Sequence, residues 1–111
     1  MKLIRCVVPE SKLEKLQTEL LAAGITNMTC YEVKGFSANK LLLQQKAKKC
    51  LVEFKSQLML EVVLADNKVM EISNLMVKTA QSGRLSDGKI FILSVEEVIR
   101  LRTGESGESA L

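Results

Sequence analysis

Apolar and polar residues follow two periods along the chain: alternation in four segments and a helical repeat in two. Residues 2–8 alternate and are rich in β-branched side chains, which predicts a first strand, Lys2–Val8. Leu3, Arg5 and Val7 would share one face of this strand, with the intervening residues on the other. Pro9 ends the strand, because proline has no N–H to donate to a ladder.

A capping pattern and leucines at helical spacing follow directly. Ser11 and Glu14 form an S-x-x-E capping box, and Gly24 stands where a left-handed helix-ending residue belongs. Between them, leucines recur three and seven positions after Leu13. This pattern predicts a first helix over Lys12–Ala23.

Two further strands flank a long segment. Asn27–Phe36 predicts the second strand, and Gly35 near its end indicates a bulge or a close backbone approach to a ligand. Leu51–Leu64 predicts the third, most clearly over Gln57–Leu64, where nearly every residue but Glu61 is apolar. The intervening Ser37–Cys50 is longer than about 12 residues, which is typical of a functional or disordered loop.

A second helix is predicted after the third strand. Asp66 or Asn67 is its expected N-cap, and Gly83 its closing residue. Its expected buried stripe consists of Val69, Ile72, Leu75 and Met76.

The remaining residues predict a turn, a strand and a polar tail. Ser86–Lys89 has the composition of a tight turn, and Ile90–Val95 predicts the fourth strand. We expect Glu96–Arg102 to form a short extended addition and Thr103–Leu111 to be a tail that is mobile unless docked.

The element order β-α-β-β-α-β defines the expected fold class. It predicts one α+β domain over residues 1–111, a ferredoxin-like sandwich whose four-stranded antiparallel sheet carries both helices on one face. The other face, on which we expect Met59, Cys6 and Cys30, is then uncovered and largely apolar. Because such a face is a liability in a monomer, we expect the sheets to pack together in an oligomer.

Composition excludes several kinds of chemistry. The 111 residues include no His and no Trp, one Tyr and three Phe. Histidine triads, imidazole bases and histidine metal sites are therefore excluded, and the aromatic stacking of single-strand and RNA binders is disfavoured. The three cysteines, with no C-x-x-C, predict a reduced cytoplasmic protein with two buried strand thiols. A three-cysteine metal site or an oxidised pair is the weaker alternative. No apolar run approaches the roughly 20 residues of a membrane helix.

The net charge of +3 belongs to one segment of the chain. Sixteen basic residues face 13 acidic ones, and Ser37–Cys50 contains four lysines and no acid. Without these four the chain carries 12 basic and 13 acidic residues, so the excess is one loop and not a basic face. Four lysines could give salt-sensitive binding to a polyanion, but they do not indicate a dedicated nucleic-acid partner.

Three runs of sequence together resemble the P-II signal-transduction family. They are Lys34-Gly35-Phe36, Ser86-Asp87-Gly88-Lys89-Ile90-Phe91 and Val95-Glu96-Glu97-Val98-Ile99-Arg100-Leu101-Arg102-Thr103-Gly104-Glu105. The family pattern is D-G-K-I-F followed by V-x-x-V-I-R-I-R-T-G-E, and the likeness covers essentially the whole chain. It implies a homotrimer whose sheets face the threefold centre, with ATP or ADP in clefts between subunits. It also implies a T-loop, here Ser37–Cys50, that carries the signal to partners.

The resemblance implies a set of nucleotide-binding residues. One subunit would supply Gly35, Phe36, Ser37, Ser86, Asp87, Gly88 and Lys89, and its neighbour Arg100 and Arg102. Met28, Thr29 and Val63 match positions near the adenine, and Glu61 matches an acid of the same cleft. Glycine-containing turns and paired guanidinium groups suit phosphate on physical grounds as well. The alternative for the two arginines is an exposed rim pair.

Four substitutions depart from the family pattern. Ser37 and Ala38 stand for a glycine and an arginine, and Asn39 stands for the glutamine that helps hold Mg²⁺ and 2-oxoglutarate. Gln57 replaces the lysine that meets the 2-oxoglutarate carboxylate, and a neutral amide cannot replace that cation. We therefore expect a sensor of adenylate energy state without 2-oxoglutarate sensing, and whether Mg²⁺ joins the site stays open.

The T-loop has lost the tyrosine that many relatives have uridylylated, since Tyr31 lies in a strand. Its expected partner-binding residues are Lys40, Leu41, Leu42, Leu43, Lys46, Lys48 and Lys49. Family precedent implies a membrane transporter, either an ammonium channel or an ABC-type importer, or a metabolic enzyme. A cytoplasmic protein recruited to such a transporter is the expectation, and a soluble loop with a local hydrophobic tuck is its alternative.

Other function classes stay as alternatives to this regulator. A slow ATP-hydrolysing enzyme could use only the region of Lys89 and Glu61, and no catalytic residue or metal ligand is assigned. A nucleic-acid binder, a structural or metal-binding trimer, a P-II protein that also binds 2-oxoglutarate and a non-signalling nucleotide-binding trimer are the others.

Overall fold

A computed structural model describes residues 1–36, 55–83 and 88–111. Its sheet consists of β1 (Lys2–Val8), β2 (Thr29–Gly35), β3 (Lys55–Leu64) and β4 (Lys89–Ser94) in the order β2-β3-β1-β4. Every pairing is antiparallel. Helices α1 (Leu13–Ala22) and α2 (Asp66–Ala80) pack on one face of this sheet. The predicted ferredoxin-like fold is therefore confirmed.

The hydrophobic core lies between the sheet and the two helices. Alternate residues of β1 and β3 are buried, beginning with Ile4 and Leu58, and they meet Leu16, Leu20 and Ile72 of the helices. Val69 and Leu75 of the predicted α2 stripe are only partly buried against this cluster. The alternation of β1 was predicted correctly, because a period of two survives whichever strands lie beside it.

The start of α1 differs from the prediction. A short 3₁₀ turn, Glu10–Lys12, precedes the helix, and the N–H of Lys12 donates to the Pro9 carbonyl at 3.0 Å. Ser11 lies inside this turn, and no side chain caps the helix. The predicted capping box is therefore wrong, because the backbone turn occupies the position that a capping serine would need.

The end of α1 follows the prediction. Gly24 has a φ of +90°, and its N–H donates to the Leu21 carbonyl at 3.0 Å. The Ile25 N–H donates to the Leu20 carbonyl at 2.9 Å, which completes a Schellman motif. A glycine suits this position, because the left-handed conformation costs a residue with a Cβ more than it costs glycine.

The N-cap of helix α2 lies one residue before the first predicted cap, Asp66, and the helix ends earlier than predicted. Ala65 occupies the N-cap position, and the Asp66 carboxylate instead binds the terminal ammonium of Met1 at 2.9 Å. This contact lowers the pKa of Asp66, mainly through the hydrogen bond from the ammonium group. At the other end Gln81 is extended, so Gly83, with its φ of +77°, lies beyond the helix and does not close it.

Neither cysteine predicted for the open face of the sheet lies there. Cys6 is buried under the helices, and burial raises the pKa of its thiol to about 11. Cys30 pairs with Leu60, a helix-side residue, yet it is exposed because β2 is an edge strand. The expectations of Cys6 and Cys30 on the open face and of two buried strand thiols are both wrong. Met59, beside Val7 and Tyr31, does lie on the open face.

The segment after β4 is more ordered than a mobile tail. Ile99 and Ser106 form an antiparallel bridge, and Gly107–Ala110 forms a 3₁₀ turn that buries Ala110. Glu96–Arg102 contains only this single bridged residue, so the predicted extended addition is limited to Ile99.

Two features are absent from residues 1–36, 55–83 and 88–111. None of the helices there is long and apolar enough to cross a membrane. Within the same ranges, no three His, Cys, Asp or Glu side chains are grouped so that they could hold a metal ion.

Candidate nucleotide site

Several predicted site residues lie at the same end of the sheet. β2 ends there at Gly35, opposite the start of β3 at Lys55, and β4 begins there at Lys89, opposite Val7. β1 ends between them, with Val8 opposite Leu58. The antiparallel topology therefore brings the glycines of two distant motifs, with the flanking Phe36 and Lys89, to the same end of the sheet, at its two opposite edge strands β2 and β4.

The conformation of Gly88 and its contact with β1 both require a glycine at this position. It has a φ of +100°, and a Cβ built on it would stand 1.7 Å from the carbonyl oxygen of Val7. No side chain fits at that separation, because the obstacle is backbone of the central strand. Gly88 was expected to be glycine so that a phosphate could approach the backbone, but the close approach seen within the chain is that of β1.

Gly35 approaches a side chain and stays in register. Its pairing with Lys55 continues the ladder of β2 and β3 without an extra residue, so a bulge is absent from this described pairing. A Cβ on Gly35 would meet the Oε1 atom of Gln57 at 2.8 Å. Gln57, the residue expected to replace a lysine, therefore lies directly against the glycine that begins the predicted phosphate loop.

The predicted adenine contacts lie towards the middle of the sheet. Thr29 is exposed on β2 opposite Glu61, and Val63 lies on the open face opposite Leu3. Met28 differs, because it packs partly against the hydrophobic core. Two of the three residues predicted near the adenine, Thr29 and Val63, thus share one surface with Glu61, the acid predicted for the same cleft.

Glu61 already has two partners within the chain. Its Oε1 atom accepts a hydrogen bond from Nε of Arg5 at 3.0 Å and another from the Tyr31 hydroxyl at 2.5 Å. The Arg5 guanidinium forms an ion pair with the carboxylate, which is about one-fifth exposed. The hydrogen bond to Glu61 is the main cause of a raised Tyr31 pKa. This cluster of Arg5, Tyr31 and Glu61 is the polar centre of the open face.

Sequence reasoning missed Arg5 and Tyr31 as members of the site. The available signal was Arg5 itself, a cation between Leu3 and Val7 on one predicted strand face. Its significance depends on the register. The register places Arg5 opposite Glu61, and it places Tyr31 opposite Met59, two residues from Glu61 along β3. Hydrophobic periodicity does not determine that register between strands whose contacting residues lie 30 or 56 positions apart.

The two predicted phosphate-binding arginines lie in the segment that leaves the sheet at the opposite end. β4 ends at Ser94, opposite Lys2, and Arg100 and Arg102 follow after six and eight residues. Within the described residues no hydrogen bond or ion pair links either guanidinium to Gly88 or Lys89. Arg100 contacts Glu105 and Leu111 instead, whereas Arg102 is exposed.

Several predicted site residues lie outside the described residues. In the nucleotide set these are Ser37, Ser86 and Asp87. The first two residues of the predicted turn Ser86–Lys89 therefore lie outside the described residues, and its last two lie within them. In the partner-binding set they are Lys40, Leu41, Leu42, Leu43, Lys46, Lys48 and Lys49, and the substituted positions Ala38 and Asn39 lie there too. Cys50 and residues 51–54 of the predicted third strand also belong to this group.

A groove of about 270 Å³ lies on the helix side of the same end of the sheet. Its lining is mostly apolar and comes from β1, α2 and β4, and includes Val8, Ala80 and Ile90. Gly88 and Lys89 border it, so these two residues separate this groove from the open face.

Known proteins match this chain over nearly its whole length. The family model described as nitrogen regulatory protein P-II matches residues 1–105. Nitrogen regulatory protein P-II of Pasteurella multocida is 38% identical over 112 aligned positions, and P-II 1 of Escherichia coli K12 is 37% identical, each covering the whole of both chains. The crystal structure of Arabidopsis thaliana PII bound to citrate aligns with a TM-score of 0.82 and 30% identity, over 99% of this chain and 91% of that one.

Replacement of Gly88 by alanine should destabilise the protein far more than the same change at Gly35. At Gly88 both the positive φ and the Val7 carbonyl oppose a side chain, and we expect a loss of at least about 2 kcal/mol. At Gly35 only the flexible end of Gln57 must move. Urea denaturation of both variants measures this, and equal losses would contradict the close approach of Gly88 to β1.

Tyr31 is the only tyrosine, so ultraviolet titration of the phenol reports directly on its hydrogen bond to Glu61. Glu61→Gln removes the carboxylate that raises the pKa of Tyr31, and we expect the titration midpoint to move to lower pH. Glu71→Gln is the control, because Glu71 lies on α2 and pairs with Lys68. An unchanged midpoint in Glu61→Gln would refute the contact.

Proposed function

Since the chain belongs to the nitrogen regulatory protein P-II family, we propose that it is a homotrimeric signal-transduction protein that binds ATP or ADP between subunits. Regulators of this family are not enzymes, and we propose that this chain likewise acts by binding and not by turnover. Its output is carried by residues 37–50, the T-loop of the proposal. Differential affinity of a partner for the ATP and ADP states provides the coupling.

One observation supports a site between subunits more than any other. Gly35, Gly88 and Lys89 lie at the same end of the sheet, at its two edge strands, whereas Arg100 and Arg102 lie in a segment that leaves the opposite end. A phosphate chain that needs both groups is therefore best served by two copies of the chain. The proposed cleft takes Gly35, Phe36, Ser37, Ser86, Asp87, Gly88 and Lys89 from one subunit, with Met28, Thr29, Glu61 and Val63 near the base.

The open face of the sheet supports the trimer. It presents Phe91 and Leu93 to solvent, 46% and 40% exposed, beside Leu3, Met59 and Val63. Apolar surface on this scale is typical of an interface, and burial against two further copies would remove it from water. The Arg5, Tyr31 and Glu61 cluster would give that interface a paired polar centre.

Gln57 supports a sensor that does not respond to 2-oxoglutarate. Its amide lies against Gly35, where a cation would be needed to neutralise a dicarboxylate. The Arabidopsis PII structure holds citrate, a polycarboxylate, and this favours the second candidate, a P-II regulator that also binds 2-oxoglutarate. The proposed partner is a membrane transporter, either an ammonium channel or an ABC-type importer, or a metabolic enzyme. Recruitment from the cytoplasm to the membrane belongs to the transporter case.

Calorimetry tests the nucleotide site. We expect the protein to bind both ATP and ADP, and Arg102→Ala to weaken ATP binding about 10- to 100-fold, the range for loss of a charge-assisted hydrogen bond. Lys15→Ala removes an exposed cation from α1 and serves as the control. No ATP binding, or equal losses in both variants, would overturn the site, and a sedimentation mass of one chain at micromolar concentration would overturn the trimer.

A second titration tests the proposed loss of 2-oxoglutarate sensing. In the presence of Mg·ATP we expect no micromolar binding of 2-oxoglutarate to the protein as it stands. Gln57→Lys restores a cation beside Gly35 and should raise the affinity for 2-oxoglutarate above that of the unaltered protein. Micromolar binding without the substitution would establish the second candidate.

A further inference from the structure

Arg100 is held by residues that follow it in the chain. Its Nη2 atom donates to the main-chain oxygen of Leu111 at 3.1 Å, and its Nη1 atom lies 3.6 Å from Oε2 of Glu105. The Arg100 side chain is one-third exposed, so both contacts form at a partly desolvated surface. Its guanidinium is therefore already occupied by oxygen acceptors.

Backbone hydrogen bonds hold this arrangement closed. Arg100 N–H donates to the Glu105 carbonyl and Gly104 N–H to the Arg100 carbonyl, both at 2.8 Å. Gly107 N–H donates to the Val98 carbonyl at 3.0 Å. The 3₁₀ turn that follows buries Ala110, so the end of the chain is packed and not merely tethered.

Arg102 provides the contrast within the same segment. It is two residues from Arg100 and carries the same side chain, but it is exposed and has no ion pair or side-chain hydrogen bond within the described residues. Two guanidinium groups that are equivalent in the sequence pattern are thus in different states. One is available to a ligand, and the other must first give up Glu105 and Leu111.

We propose that residues 105–111 form an autoinhibitory latch that competes with a bound phosphate chain for Arg100. This inference rests on the proposed function, because it assigns Arg100 to the same nucleotide cleft. Glu105 and Leu111 supply oxygen acceptors where phosphate oxygens would otherwise pair with the guanidinium. Binding through Arg100 therefore requires the latch to open, and opening exposes Ala110.

Competition of this kind couples two events reciprocally. A latch that must open for the ligand to use Arg100 lowers ligand affinity, and the ligand in turn favours the open latch by the same factor. The exposed end of the chain then becomes a second readout of nucleotide occupancy, besides the T-loop. Of the two arginines only Arg100 contacts Glu105 and Leu111, so Arg102 can hold the nucleotide while the latch is still closed.

Matched charge variants test the latch by calorimetry with ATP. Glu105→Gln removes the ion pair, and we expect about two- to fivefold tighter ATP binding, the range for an exposed pair. Removal of Ala110 and Leu111 should tighten binding about tenfold, because it deletes a hydrogen bond to a charged group. Glu108→Gln makes the same charge change within residues 105–111, where Glu108 is exposed and its side chain contacts none of the described residues through a hydrogen bond or ion pair. We expect little change there.

Hydrogen exchange gives an independent measurement of opening. The amides of Gly107 and Leu111 are both bonded in the closed latch, at 3.0 Å and 3.2 Å, and should exchange faster when ATP is added. In Glu105→Gln they should exchange faster even without nucleotide, which tests the latch apart from any ligand.

The outcomes separate the latch from the function on which it rests. Equal ATP affinities for Glu105→Gln and Glu108→Gln, or slower exchange of these amides with ATP, would overturn the latch while leaving the nucleotide site intact. Absence of ATP binding to the unaltered protein, with faster exchange in Glu105→Gln, would overturn the nucleotide function and its competition with the latch together.

Discussion

The central strand β1 is the constraint on which the rest of the structure depends, because it pairs along its length with β3 and along most of it with β4. Its even-numbered residues from Ile4 to Val8 are buried beneath the helices, and its odd-numbered residues form the middle of the open face. Gly88 can lie against it only as a glycine. A shift of β1 by one residue would exchange the two faces and separate Arg5 from Glu61.

Charge on the open face and charge in the final segment are both partly neutralised inside the chain. Glu61 is paired with Arg5, and Arg100 with Glu105, so neither presents a bare charge to a ligand. Lys89 and Arg102 are different, because both are exposed cations outside these pairs. Of the three basic residues in the predicted nucleotide set, Lys89 and Arg102 are therefore available to bind an anion, whereas Arg100 is already paired.

Most of the elements could be predicted from periodicity, and the departures have local physical causes. β1 has the predicted bounds, and β4 is displaced by one residue at each end. The capping box of α1 was wrong because a 3₁₀ turn forms first, and Asp66 caps nothing because the Met1 ammonium binds it. Cys6 was assigned to the wrong face because alternation divides a strand into two faces without saying which one the helices cover.

The sequence alone determined the element order, the alternating faces, the glycine positions and the concentration of excess charge in residues 37–50, since each depends on spacing within a short stretch of chain. The tertiary structure decided which groups meet. Register brought Arg5 and Tyr31 to Glu61, and packing of the final turn brought Leu111 to Arg100. Contacts between distant segments depend on how the whole chain closes, and for that reason no local pattern specifies them.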